Sequence, residues 1–340
     1  MLGVLPQELT GQPFQTLLAQ EGAALGGAQE LQALLTEGPF LHAVEPASPA
    51  GLESDLAALR ADRHQDRSLA ALKRAPSLLR QLHGLVRSAS GEEDREHAWE
   101  LLADAYANVS QITYRFGLLT MAATLLERME HAAEQAGQQL RVAHAAQQRA
   151  LLLLSHAAYD IGQRCVERSL DLVGPPQNET ALALAGSAHL RGAVLAARAL
   201  DLDRASAHLD EAEDLARRIG HESGVFDTNF GPGNVAIHRV AVELEAGDPG
   251  RAAHTGEHLR LPADVKPTRV GRHWQDMARA HLLSGSPAKA FAALQKARAV
   301  APQQTRHHPQ VHETMRALAA ARHPPSPAVT AFARWLGVRA

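Results

Sequence analysis

The chain has 340 residues, of which 45% are hydrophobic but only 4% aromatic, so its apolar side chains are mostly Ala and Leu. Such helix-forming composition argues against a β-sandwich or barrel, which draws on β-branched and aromatic residues. The formal net charge of −3 at pH 7 gives no bulk drive toward nucleic acid, and the one cysteine, Cys165, excludes an intramolecular disulfide and a cysteine-rich zinc site and suits a reducing compartment.

The N-terminus reads MLGVLPQELTG, without a basic residue or a long apolar core, so no signal peptide is expected. The longest purely aliphatic run, residues 151–154, is far short of the ~20 apolar residues of a membrane span. The expected location is cytoplasmic, with no membrane partner. Residues 1–56 are interrupted by Pro6, Pro13, Gly26, Gly27, Gly38, Pro39, Pro46 and Pro49, with short helical patterns over 13–25 and 28–37. Ser54 is placed to cap a helix running through Leu56, Leu59 and Arg63. Pro76 is placed to open a second, basic helix from about Ala75, with Leu78, Leu79, Leu82, Leu85 and Val86 on its apolar face. Residues 1–90 therefore read as an irregular helical N-terminal cap.

From Gly91 onward the pattern is helix after helix, with breakers at Gly117, Gly137, Gly174, Gly220, Gly231, Gly247, Pro262, Gly285 and Pro302. Longer and shorter segments alternate, which is the rhythm of stacked helical hairpins. A tetratricopeptide (TPR) unit reads W-x2-L-G-x2-Y, then A-x3-F, then Pro, over about 34 residues. Trp274, Met277, Ala278 and His281 stand at the first four of these spacings, and Ala290, Leu294, Ala297 and Pro302 at the later ones. Small Ala278 and Ala290 suit a close helix crossing, while Trp274 and Leu294 suit the wedge between hairpins. Weaker copies place Ala193 with Ala205, Val240 with Ala252, Ala150 with Gly162, and Tyr106 with Ala122. The expected architecture is all-α, a right-handed superhelix of TPR-like helical hairpins (an α-solenoid), with repeats over 91–305 and capping helices over 306–340.

Three strings, FGPGNVAIHRVAVELEAGD, RVGRHWQDMARAHLLSG and AFAALQKARAVAPQQTRHHPQV, occur in that order from Phe230 onward. Together they resemble the C-terminal TPR-like sensor region of actinobacterial Xre-type helix-turn-helix transcriptional regulators. The resemblance covers about residues 52–318. It departs from the family in one respect: residues 1–56 hold no pair of short helices joined by a tight turn, so the DNA-binding domain is missing here. The resemblance implies a role in regulating gene expression through ligand capture.

A TPR hairpin turns one face of its first helix toward the concave groove. By register those positions are Arg272, Gln275 and Arg279; then Asn234, Ile237 and Ala241; then His144 and Gln147; then Asp104, Ala107 and Gln111, with Tyr114 close by. The loop from Asp227 to Asn234, DTNFGPGN, is the most unusual stretch. Its bland reading is a helix-capping turn with Asn234 as cap, and its functional reading turns Asn229, Asn234 and His238 toward a ligand. An Asn amide both donates and accepts, so it can pair with an extended peptide's backbone, and the resemblance to TPR-type peptide receptors favours that use. Arg269, Arg272 and Arg279 share one helical stripe and suit a carboxylate or phosphate, unless Asp276 or a neighbouring Glu pairs with them. The groove lacks the Lys and Asn set with which chaperone-binding TPR domains clamp a C-terminal carboxylate.

No catalytic residue, cofactor or metal is expected. His254/His258 and His308/His312 are spaced four apart, as two zinc ligands on a helix would be, but no third ligand is evident and no HExxH pattern occurs. Cys165 reads as a small core residue. The function expected is non-enzymatic: binding a peptide, small metabolite or protein in the groove, with a change of pitch or homodimer arrangement as the signal. The alternatives are a DNA-binding regulator with a diverged N-terminal domain and an enzyme on a helical-repeat scaffold. Direct nucleic-acid contact is disfavoured, since the basic stretch from Arg60 to Arg87 is interleaved with Asp62 and Asp66 and has no aromatic residue.

Overall fold

The computed structural model describes residues 26–46, 48–321 and 326–338. The helical pattern expected over 13–25 lies outside the described residues. Among them there is no β-strand, and one isolated bridge joins Ser223 to Phe230. The fold is an all-α helical repeat of the solenoid type in which consecutive helices pack as pairs. The contacts separate into two units: one up to Gln138, the other from Gln139 onward together with His64–Asp66.

The first unit contains α1 (Gly26–Glu37), α2 (Pro49–His64), α3 (Ser68–Ser88), α4 (Glu92–Arg115) and α5 (Leu119–Gln135). α2 starts earlier than the Ser54 reading expects. Ser48 Oγ accepts the Gly51 N–H at 3.1 Å, and Pro49 takes the first helical position, where a missing N–H costs nothing. Leu56, Leu59 and Arg63 are all buried on that helix, as its pattern requires. The Pro76 reading is also corrected: α3 begins at Ser68 and Pro76 lies inside it. An internal proline costs about 3 kcal/mol. Here Leu72, Ala75, Pro76, Leu78, Leu79 and Leu82 are all buried on this one helix, and their burial offsets the lost bond.

The second unit contains α6 (Gln139–Ser155), α7 (Tyr159–Val173), α8 (Glu179–Arg198), α9 (Leu202–Ile219), α10 (Pro232–Glu245), α11 (Pro249–Glu257), α12 (Pro267–Leu283), α13 (Pro287–Val300), α14 (Pro302–His307), α15 (Pro309–Ala320) and α16 (Pro327–Leu336). The hairpins are α6/α7, α8/α9, α10/α11 and α12/α13. Turns α6/α7 and α8/α9 contain neither glycine nor proline; Ala157 and Leu200 adopt left-handed φ of 54° and 61° instead. Asp201 and Asp248 cap α9 and α11 by accepting from the N–H groups of Arg204 and Arg251. The small residues of the repeat sit where the register puts them: Ala193, Ala252, Ala278 and Ala290 are wholly buried, and a Cβ on Gly162 would come within 2.7 Å of Leu195. Trp274 packs half-buried against the core formed by Val240, Met277, Leu294, Val311 and Met315. By length and composition α8 is apolar enough to cross a membrane, but 78% of the qualifying window is packed inside the protein.

Candidate functional site

The first helices of the second unit's hairpins, α6, α8, α10 and α12, present a connected band of polar side chains, continued by α14. On α6, Gln148 Nε2 lies 2.8 Å from His144 Nε2, and Gln147 is wholly buried. Arg191 on α8 donates to Gln147 Oε1 at 3.4 Å and to Gln148 Oε1 at 3.3 Å. On α10, the His238 Nδ1–H donates to the Asn234 carbonyl at 2.9 Å, one helical turn back. That leaves Nε2 as the lone-pair nitrogen, 3.5 Å from Arg269 Nη2 of α12. Burial, then the positive charges of Arg269, Arg191 and Arg272, hold His238 neutral with its pKa lowered to about 3.

The predicted residues fall into three groups. Asn234, His238 and Arg269 come together: Arg269 Nε donates to Asn234 Oδ1 at 2.9 Å. Arg272, Gln275 and Arg279 lie on the same helix with partners of their own. Arg272 grips Asp276 through both carboxylate oxygens, at 2.9 and 3.1 Å, and reaches His308 Nε2 at 2.6 Å. Burial raises the Asp276 pKa, against the pull of Arg272. Arg279 donates to Glu245 Oε1 at 2.7 Å, and Arg198 pairs with the same carboxylate at 2.9 Å. Gln275 Nε2 donates to Thr305 Oγ1 at 3.2 Å. Ile237, also read as groove-facing, is buried in the packing instead.

Tyr114 belongs to the first unit, half-buried on α4. The other groove positions read on α4 are engaged within that unit: Arg60 of α2 pairs with Asp104 at 2.5 Å, Arg63 donates to Gln111 at 2.5 Å and to the neighbouring Asn108 at 2.7 Å, and Ala107 is buried.

The 224–230 loop is unusual in its backbone. Phe226, Asp227 and Asn229 all have left-handed φ, at 46°, 56° and 49°. Such backbone costs on the order of 1 kcal/mol per residue and persists only where the surroundings over-determine it. Here they do. The Ser223 N–H donates to Phe230 O at 2.8 Å, the Phe226 ring lies 5.3 Å from that of His144, and Arg141 lies over its face. Asn229 is buried; its Nδ2 donates to His64 Nδ1 at 3.3 Å, and His64 Nε2 donates to Asp227 at 3.0 Å.

Asn234 is not the cap of α10. Its side chain is turned to Arg269, and Glu222 takes the capping role by accepting the N–H groups of Gly233 (2.6 Å) and Asn234. Gly231 permits this because a Cβ there would sit 2.3 Å from His221 O. Replacing Glu222 with Ala is expected to cost about 1 kcal/mol of stability, read as a lower thermal midpoint.

Arg191, Gln148, Glu222 and Glu245 were not legible as site residues. One signal for Arg191 was available: within ETALALAGSAHLRGAVLAAR it is the one charged residue between the terminal Glu179 and Arg198. The rings of His254 and His258 lie 4.6 Å apart with His258 Nδ1 on the His254 carbonyl at 2.8 Å, while His312 Nε2 is on the Arg306 carbonyl at 2.6 Å. Among the described residues no three His, Cys, Asp or Glu side chains converge as a metal site. Cys165 is half-buried beside the core of Ala150, Val166, Ala188 and Leu195.

No protein-family model and no curated protein matches the chain. Among solved structures, the crystal structure of BtubC (BKLC) from P. vanneervenii is similar at 14% sequence identity and a TM-score of 0.41, over 76% of this chain and 94% of that one.

Proposed function

We propose that this chain is a non-enzymatic helical-repeat binding protein whose second unit takes an extended peptide segment along the first-helix band, and that occupancy regulates a partner. One observation supports the reading most directly. Gln147 Nε2, Asn229 Oδ1, Gln275 Oε1 and Gln304 Oε1 are buried amide atoms with no hydrogen-bond partner among the described residues. Leaving such a group unsatisfied costs about 1–3 kcal/mol, so a fold that carries several is better matched with a ligand in place. One is a donor and three are acceptors, which are the two halves of what a peptide backbone supplies. The resemblance to Xre-type sensor regions extends this reading to control of gene expression in the cytoplasm, with the chain acting through a partner or a second copy.

The test is a thermal-shift screen of a random peptide library, repeated on Gln147→Leu. Binders are expected to raise the wild-type midpoint. Gln147→Leu is expected to keep nearly the wild-type midpoint without ligand, because the buried NH2 without a partner that it removes offsets the long 3.4 Å bond from Arg191 that is lost with it, while weakening peptide affinity about tenfold. A library in which no peptide shifts the wild-type midpoint would sink the reading.

A further inference from the structure

We propose that His254 and His258 form a two-imidazole site for a divalent transition-metal ion of the copper(II), nickel(II) or zinc(II) class, on the exposed face of the last turn of α11. The site lies outside the peptide reading and does not depend on it.

A spacing of four residues brings two helical side chains onto one face, about 5–6 Å apart at Cβ. The rings follow: their centroids are 4.6 Å apart and their planes are inclined by 49°. Both residues are exposed, so an ion reaches them from solvent without a cavity. The His258 Nδ1–H donates to the His254 carbonyl at 2.8 Å. That bond fixes the tautomer and leaves the lone pair on Nε2, and it is the backbone bond that a metal-ligating imidazole commonly makes through its second nitrogen. No hydrogen bond among the described residues holds the His254 ring, so it can turn a nitrogen to the same ion. Two metal–imidazole bonds of about 2.1 Å at a right angle need ligand nitrogens about 3 Å apart, which rings at this spacing can meet.

Glu257 stands between the two in sequence but is held elsewhere: Lys289 donates to it at 2.8 Å, and His281 Nε2 is 3.7 Å away. Since no three His, Cys, Asp or Glu side chains converge among the described residues, water completes the coordination. Imidazole nitrogen selects a transition metal over Mg2+ or Ca2+, which take oxygen, and copper(II) leads the order of affinity. Other histidine pairs do not offer the same lone pairs. His308 Nε2 takes Arg272 at 2.6 Å, and His312 Nε2 donates to the Arg306 carbonyl. His189 and His208 face each other Nδ1 to Nδ1 at 3.0 Å, but a metal there would move the His208 proton to Nε2, which is buried without a partner. The site also has a mechanical consequence. α11 has nine residues, and Gly256 in its last turn lies so close to α12 that a Cβ would sit 2.1 Å from the Met277 sulfur. An ion clipped across His254 and His258 pins the turn on which α12 packs.

The test titrates the full chain with Cu2+, Ni2+ and Zn2+, with Mg2+ as the hard-cation control. The proteins are wild type, His254→Ala, His258→Ala, and His221→Ala, which removes an exposed histidine paired with Glu179. Calorimetric titration is expected to show the same tightest site in wild type and His221→Ala, weakened at least tenfold in either site variant, with no binding of Mg2+. Ni2+ at tenfold over its Kd is expected to raise the wild-type and His221→Ala thermal midpoints by about 4 °C and to leave the site variants unmoved. At one Cu2+ per chain, electron paramagnetic resonance is expected to show coupling to two imidazole nitrogens in wild type and to one in each site variant. The wild-type spectrum reads the ligand count even if a variant fails to fold. Equal affinity in wild type and His254→Ala, or a wild-type spectrum with a single nitrogen, would overturn the proposal. A two-nitrogen spectrum that survives in both site variants also overturns it, because the ion then sits elsewhere.

Discussion

Between pH 6.5 and pH 4 the second unit is expected to lose most of its stability. Four of its histidines, His208, His238, His273 and His307, have pKa values lowered to about 4, 3, 4 and 4, in each case chiefly by burial. Their folded pKa lies below the unfolded value, so between the two the unfolded chain binds more protons than the folded one. Stability is therefore complete above about pH 6.5 and falls as pH drops toward the folded values. One pKa unit is worth about 1.4 kcal/mol, so each group withdraws about 3 kcal/mol by pH 4. Together they withdraw on the order of 10 kcal/mol, which rivals the whole stability of a typical domain. The measurement is urea unfolding from pH 7.5 to 4 in a Trp99→Phe background. Of the chain's three tryptophans this leaves Trp274 and Trp335, both in the second unit, as reporters. His307→Gln should flatten the profile by about one proton's worth of slope. A midpoint unchanged down to pH 4 would refute the burial of these imidazoles. The contribution of Glu245 is separable by pH. Burial raises its pKa, but its bonds to Arg198 and Arg279 outweigh that and hold it below the usual 4.5, so its stabilisation disappears only at lower pH still.

Phe230→Ala is expected to cost about 3–5 kcal/mol, a loss large enough to unfold the second unit at modest temperature. Phe230 is wholly buried among Leu182, Leu190, Leu209 and Val235, at the closing bond of the strained loop. Its ring points edge-on at α8, where a Cβ on Gly186 would lie 1.9 Å from Cζ. The same contact makes the reciprocal change, Gly186→Ala, destabilising by about 1–3 kcal/mol through overpacking, even though Ala is the better helix former. Differential scanning calorimetry on both variants checks the pair. If Gly186→Ala raised the midpoint, as helix propensity alone would have it, the ring could not be seated where it is.

The contact between Gly186 and Phe230 also shows where sequence reading stops. A glycine in the middle of an alanine-rich helix carries no local signal of what approaches it. The ring that needs the space lies 44 positions downstream. The turns tell a similar story. Gly247 and Gly285 announce theirs, but Ala157 and Leu200 take the same left-handed backbone with no residue type to mark it, because packing on both sides holds the hairpins closed. Pro76 announces a helix start that is not there, since burial of its whole face outweighs one missing hydrogen bond.

From the sequence alone came the helical class, the hairpin rhythm, and the small residues that let hairpins nest. All three follow from periodicity and side-chain size, which are local. It also named Asn234, His238 and Arg269 as candidates, because register along one helix and its neighbour suffices to place them on a face. Only the tertiary structure decided what those residues do to one another. Arg191 meets Gln147 and Gln148 from a helix on which no groove position had been read, Glu222 displaces Asn234 as the cap, and Arg272 and Arg279 are met by Asp276 and Glu245. The reason is physical. Charge pairing, desolvation and unsatisfied amides depend on distances between segments 30 to 50 residues apart, and a one-dimensional pattern carries no information about those distances.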